Sequence, residues 1–333
     1  MSTLLEISRS TRLAVTTVSE ILRQKPGYNE ATRRRVLEAA RRLRYRPSMA
    51  ARQLRGGRSG MVGVLIGLDN PQVNFDRLAH VERAAFAHGF RLMVGQVHEG
   101  DARVAEYLED FASRGLDGVI WLHQPFVKQQ GMPATLLKNT EALVSLDEPL
   151  RPGGGCVRVD YAAGVAAAVR HLRARGRRRI ALALAGRGTP GDPMHARLEG
   201  YRSAVGGAGA QRVWTGDMEE QPRPDRVARA IEQLVEQGGA DAVIASNDVW
   251  AAAFLKGLQR AGRRVPDDVA VVGFDNLAWS AWLDPALTSI DQQHAAFAEA
   301  TVALMARLLA GKTLPARERT VVVTPQLMLR DSA

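Results

Sequence analysis

Seven histidines (His80, His88, His98, His123, His171, His195 and His294) are scattered through the 333 residues, and no two stand at HxxxH spacing. Cys156 is the single cysteine. This pattern excludes a zinc module and an internal disulfide framework. No GxSxG nucleophile elbow occurs. Gly186-Arg187-Gly188-Thr189-Pro190-Gly191 follows an apolar run and formally matches GxGxxG. Pro190 and Pro193 flank its last glycine, so the next helix is expected to start late, near Pro193. A dinucleotide site would need that helix to open inside the loop, where its N-terminus meets the pyrophosphate. No catalytic set, no metal ligands and no cofactor are therefore expected, and the chain does not read as an enzyme.

Charge is the informative chemistry. The chain carries 45 Lys+Arg and 35 Asp+Glu, a net of +10. Residues 1–60 hold 14 basic and four acidic residues, so the whole excess lies in this head and the remainder is neutral. Arginine enrichment across a genome would spread the excess along the chain. A basic head on a neutral body is the electrostatic pattern of nucleic-acid binding. The triple Arg177–Arg179 follows Gly176 at a helix end and reads as a solvated or dipole-complementing group.

Three short helices are expected to carry the head. Thr3-Leu4-Leu5-Glu6 is a capping box that opens the first. The second runs from about Val15 to Arg23, with Val18, Ile21 and Leu22 at helical spacing. The third follows Asn29 as N-cap and reaches about Arg44, with Val36, Ala39, Ala40 and Leu43 on one side. Two short helices joined by a tight turn place the start of the second in a major groove. Val15 and Thr16 are then free for base edges, and Thr17 and Ser19 for phosphates. Arg55-Gly56-Gly57-Arg58-Ser59-Gly60 reads as a flexible linker.

Beyond residue 60, apolar runs alternate with helical patterns. The runs are Met61–Ile66, Arg91–Gly95, Gly118–Leu122, Ala142–Leu146, Ile180–Ala185, Ala242–Ala245 and Val269–Gly273, with shorter ones at Val157–Val159 and Arg212–Trp214. Continuous apolar runs mark strands covered on both faces. Intervening helices make the sheets parallel and doubly wound, and the number of runs suits two sheets better than one. Ligands bind beyond the carboxyl ends of such strands. Arg197, Asn247 and Asp275 lie there: a fork donor, a donor–acceptor and an acceptor, suited to hydroxyls or amines. Asn247 also reads as a helix N-cap, and Asp275 as a turn former. Trp250, Trp279 and Trp282 read more simply as core or interface than as ring-stacking groups. The N-terminus lacks a signal-peptide core, and Tyr161–Val169, among the longest apolar stretches, is too short to cross a bilayer. A cytoplasmic protein without membrane contact is expected.

Several segments together resemble the LacI/GalR family of bacterial transcription regulators. In the head they are Thr17-Val18-Ser19, Asn29-x-x-Thr32-Arg33-x-x-Val36-x-x-Ala39-Ala40-x-x-Leu43 and Tyr45-Arg46-Pro47-Ser48-Met49-Ala50-Ala51-Arg52-Gln53-Leu54. In the body they are Val159-Asp160-x-x-x-Gly164, Gly176-Arg177-Arg178-Arg179-Ile180-Ala181, Arg197-x-x-Gly200-Tyr201, Ala245-Ser246-Asn247-Asp248, Val265 to Asn276, and Pro285-x-Leu287-Thr288-x-Ile290-x-Gln292. The resemblance implies an α/β chain with an N-terminal helix-turn-helix DNA-binding head, a hinge helix, and two doubly wound parallel-sheet subdomains of periplasmic-binding-protein type. The divisions carried over are 1–46 for the head, 47–60 for hinge and linker, and 61–333 for effector binding and dimerisation. Subdomain one would be about 61–160 and 292–322, and subdomain two 161–290 and 323–333.

The implied function is a repressor, binding a palindromic operator as a homodimer and released by a small effector. Family precedent favours a sugar or sugar derivative, with a nucleobase second. The nucleoid is the expected location of the bound form. The DNA-binding set is Thr3, Val15, Thr16, Thr17, Ser19, Glu20, Asn29, Thr32, Arg52, Leu54 and Arg55, with Leu54 as the minor-groove wedge. The effector set is Asn74, Phe75, Arg197, Met218, Asn247 and Asp275. Three residues depart from the family: Arg12 replaces the turn glycine, Ala14 the capping serine, and Glu20 an arginine. They leave open a second reading, a small-molecule binder whose head has lost its DNA affinity.

Overall fold

The computed structural model describes residues 3–22, 25–45, 58–67, 71–97, 103–122, 142–186, 193–207, 211–216, 222–311 and 313–333. The chain divides into two compact units, Met1–Ser59 and Gly60–Ala333.

The first unit holds three helices: α1 (Leu4–Thr11), α2 (Val15–Leu22) and α3 (Glu30–Arg42). Both sides of the Thr3/Glu6 capping box form, and Asn29 caps α3 through the Thr32 N–H. Arg12 ends α1 in the left-handed region at φ 52°, where glycine would be unstrained. Ile7, Val18, Ile21, Val36, Ala39 and Ala40 form one small core.

The second unit contains two six-stranded sheets. In chain order their elements are β1 (Met61–Gly67), α4 (Pro71–Ala87), β2 (Arg91–Val97), α5 (Arg103–Ser113), β3 (Gly118–Trp121), β4 (Ala142–Leu146), β5 (Gly155–Val159), α6 (Tyr161–Ala174), β6 (Ile180–Ala185), α7 (Pro193–Val205), β7 (Val213–Gly216), α8 (Pro224–Ile231), β8 (Ala242–Ala245), α9 (Asp248–Arg260), β9 (Ala270–Phe274), β10 (Thr288–Asp291), α10 (His294–Leu309), β11 (Thr320–Val323) and β12 (Gln326–Met328). One sheet runs β11-β5-β4-β3-β1-β2, parallel throughout; the other runs β12-β10-β9-β8-β6-β7, with β12 antiparallel on its edge. The chain crosses between the sheets three times: after β5, after β10 and after β11. Central strands such as β1 and β4 are buried along nearly their whole length, while edge strand β2 alternates with solvent. Three strands, β10, β11 and β12, had no counterpart among the apolar runs. They have only three or four residues each and are defined by their pairing with β9, β5 and β10.

Small residues set the close crossings. A Cβ on Gly200 would collide with the Ala162 backbone, so α7 can lie directly on α6 only with glycine there. One residue further, the buried Tyr201 hydroxyl donates to the Ile180 carbonyl at 2.8 Å. The motif Arg197-x-x-Gly200-Tyr201 thus locks α7 against β6 and aims Arg197 along the strand ends. Arg177 donates to the carbonyls of Pro266 and Asp267, and the Arg178 and Arg179 N–H groups bond Asp241. The Arg178 and Arg179 side chains are exposed, in keeping with the solvated reading, while Arg177 is half-buried.

Candidate functional site: a helix-turn-helix face and an inter-sheet cleft

In the head, Val15 and Thr16 are exposed at the start of α2, and Thr17 and Ser19 are half-buried beside them. Glu20 is tied within the head. Lys25 pairs with it at 3.0 Å, and the Tyr28 hydroxyl donates to its other oxygen. That carboxylate draws Tyr28's proton tighter, raising the phenol above its ordinary value. The Thr3 and Asn29 side chains cap helices, Asn29 accepting from the Thr32 N–H at 2.7 Å. Thr32 is half-buried. Arg34, Arg35, Arg41 and Arg44 are exposed. Arg52, Leu54 and Arg55 lie outside the described residues.

In the body, the crossovers bring the ends of both sheets together. Arg197 is buried, its guanidinium 4.0 Å from the centre of the Phe274 ring and 4.4 Å from that of Tyr161. The Tyr161 hydroxyl donates to Asp147 at 3.0 Å. Burial, then the Asp147 carboxylate, pushes this phenol far above its ordinary range. Asp275 follows β9 at φ 105° and is buried. It accepts from Gln292 Nε2 at 2.5 Å, and Gln292 Oε1 accepts from Arg77 at 2.8 Å. This relay joins α4 on one sheet to β9 on the other through the second crossover. Trp279 Nε1 donates to Gln72 at 3.2 Å, a second bridge between the same two sides. A cavity of about 420 Å³ lies beside this cluster, lined by Asp147, Glu148, Asp160, Tyr161 and His195 among others.

Of the six residues expected to meet a ligand, Arg197 and Asp275 converge in this cleft. Asn74 is buried and donates from its side chain to the Gly67 carbonyl at 3.0 Å, seating α4 on the end of β1. Its neighbour Phe75 is 53% exposed. Asn247 caps α9, accepting from the Trp250 N–H at 2.9 Å, which engages one of the two acceptor sites on its amide oxygen. Met218 lies outside the described residues, as do His123 and most of the Gly186–Gly191 loop. Trp250 is core, its ring centre 5.1 Å from that of Trp214 with the planes tilted by 47°, while Trp282 is 80% exposed.

Three groups were not singled out from sequence. Arg77 is 3% exposed and stacks over Phe297 at 5.1 Å. His294 is 7% exposed, and burial, Arg77 and His80 push its pKa down to about 3. Asp248 is fully buried; burial, then the neighbouring Asp275 charge, pushes its pKa up to about 8. It accepts from Ser289 Oγ at 2.5 Å and from the Leu277 N–H at 2.7 Å. Among the described residues no group of three or more His, Cys, Asp or Glu could hold a metal ion, and no helix is long and apolar enough to cross a membrane.

Known proteins share this architecture from end to end. The profile of the periplasmic binding protein-like domain matches residues 169–333. The chain is 28% identical to the ribose operon repressor of Escherichia coli (strain K12), over 100% of both chains. A lac repressor dimer bound to operator and an anti-inducer superposes with a TM-score of 0.79 at 21% identity, covering 99% of this chain and 98% of that one. A transcriptional regulator named CelR, in complex with cellobiose, gives 0.67 at 25% identity over 100% of both. With a helix-turn-helix head and a two-sheet body, the chain is similar over its full length to bacterial transcription regulators of the lac and ribose repressor kind.

Proposed function

We propose that the protein is a ligand-responsive repressor that binds a pseudo-palindromic operator as a homodimer and is released by a sugar-like effector in the inter-sheet cleft. The observation that carries this reading is the confinement of all net charge to a 60-residue head built as a helix-turn-helix. Similar proteins are named as repressors of a sugar operon, and a related structure holds a sugar. The solved lac repressor relative is a dimer on operator. In this reading Val15 and Thr16 meet base edges, Thr17 and Ser19 meet phosphates, Leu54 enters the central minor groove, and Arg52 and Arg55 beside it meet phosphates. Glu20, held by Lys25 and the Tyr28 hydroxyl, keeps acceptor capacity on both oxygens for a cytosine amino group. A polar cleft, a DNA head and the mass action of an effector that prefers one arrangement of the two sheets suffice for reciprocal coupling.

Two variants test the reading on an operator selected by the protein itself. Leu54→Ala is expected to weaken operator binding and leave effector affinity intact. Asp275→Ala is expected to abolish effector release and keep operator binding. Fluorescence anisotropy with and without sugar reads both. Operator binding unchanged by Leu54→Ala removes the hinge from the mechanism. A normal effector response in Asp275→Ala places the effector elsewhere.

A further inference from the structure

Arg77 is a buried cation without a matching anion. It is 3% exposed, and no carboxylate of the described residues lies within ion-pair distance. Its contacts are neutral: one Nη donates to Gln292 Oε1, and the Phe297 ring lies 5.1 Å away. Its Nε is buried and makes no hydrogen bond. His294, at the start of α10, is the next anomaly. It is 7% exposed and neither ring nitrogen is hydrogen-bonded. Asp76 comes only to 3.9 Å of its Nε2, and the His80 ring centre lies 6.4 Å away. Arg77 is close enough to act on His294 electrostatically. Buried polar groups in folded proteins are nearly always satisfied, and a buried charge more strictly so. Two unsatisfied groups side by side, joined through Gln292 to Asp275 in the cleft, call for partners that arrive from outside the chain.

The chemistry of the missing partner follows from the pair. One guanidinium asks for one negative charge, and its Nε edge matches a planar carboxylate. A neutral imidazole both donates and accepts, as a hydroxyl requires. A carboxylate with a hydroxyl on the adjacent carbon satisfies both. We propose that Arg77 and His294 form a subsite for the carboxylate end of a sugar acid. This rests on the effector-cleft reading above and narrows it from sugars in general to acidic ones.

Calorimetric titration of the full-length protein tests the subsite, with D-glucuronate, D-galacturonate and D-gluconate set against D-glucose, D-galactose, D-ribose and D-glucose 6-phosphate. At least one acid is expected to bind wild type about tenfold or more tightly than its neutral parent. Arg77→Met should erase that preference. Its melting temperature without ligand should match or exceed that of wild type, because an uncompensated buried charge has been removed. A lower melting temperature for unliganded Arg77→Met would make Arg77 a structural residue and overturn the proposal. Binding of no acid, an acid preference that survives in Arg77→Met, or preference for the phosphate over every acid overturns it as well. A neutral sugar that releases DNA while no acid binds leaves the regulator reading standing and removes only this subsite. An acid that binds through Arg77 without altering DNA binding keeps the subsite and removes the effector role.

Discussion

Buried ionisable side chains with opposite tendencies sit in the body of this protein. Asp248 has its pKa raised from 3.8 to about 8, by burial and then by Asp275. His294 has its pKa lowered from 6.5 to about 3, by burial, then Arg77 and His80. The folded state holds the Asp248 proton more tightly than the unfolded chain, so this stability is complete below pH 3.8 and is lost as pH rises towards about 8. The folded state rejects the His294 proton, so that stability is complete above pH 6.5 and is lost as pH falls towards about 3. The two slopes oppose one another in mildly acid solution and separate above pH 6.5, where only Asp248 still titrates. Wild type should therefore lose about 2 kcal/mol relative to Asp248→Asn between pH 6.5 and 8. Denaturant unfolding of both proteins at the two pH values measures this. Parallel behaviour would mean that Asp248 is ionised throughout.

At the scale of elements, the head carries two local faults. Arg12 takes the left-handed position that ends α1, and Ala14, whose carbonyl opens α2 by accepting from the Val18 N–H, has no side chain to cap with. A non-glycine residue in the left-handed region and a missing cap each cost about 1 kcal/mol. Arg12→Gly and Ala14→Ser should each stabilise the head by about that amount, read as a higher melting point for the head transition. An unchanged or lower melting point in both would remove these residues as the source of strain.

The elements differ in how far they could be read from the residues. The helix starts at Thr3 and Asn29 and the long central strands were legible because caps and continuous apolar runs are local signals. β10, β11 and β12 were not, because each is defined by the strand beside it. Arg197 and Asp275 stood out as polar residues at strand ends. Arg77 did not: on α4 it looks like any helix-surface arginine. Phe297 and Gln292 enclose it, the latter from 215 positions later in the chain. His294 is likewise enclosed by tertiary packing, and the partners that bury Asp248 come from β9 and β10.

At the scale of the whole molecule, charge and ligand chemistry are segregated. The basic excess lies in a small three-helix unit, and the polar cleft lies in a neutral two-sheet unit. Electrostatics supplies DNA affinity without sequence information, so the head must add base readout to act as a regulator. Glu20 bears on that point, since it occupies the second helix and is already held by Lys25 and Tyr28. A head that binds bulk DNA and nothing more would leave the cleft with no gene to control. The decisive measurement is selection from a random duplex pool by the full-length protein across a salt series. A ligand-responsive repressor should enrich a palindrome with a central step between its half-sites, retained at salt concentrations that abolish bulk binding. Binding that falls steeply with salt and enriches no sequence would contradict it, and would leave the protein a binder of small ligands.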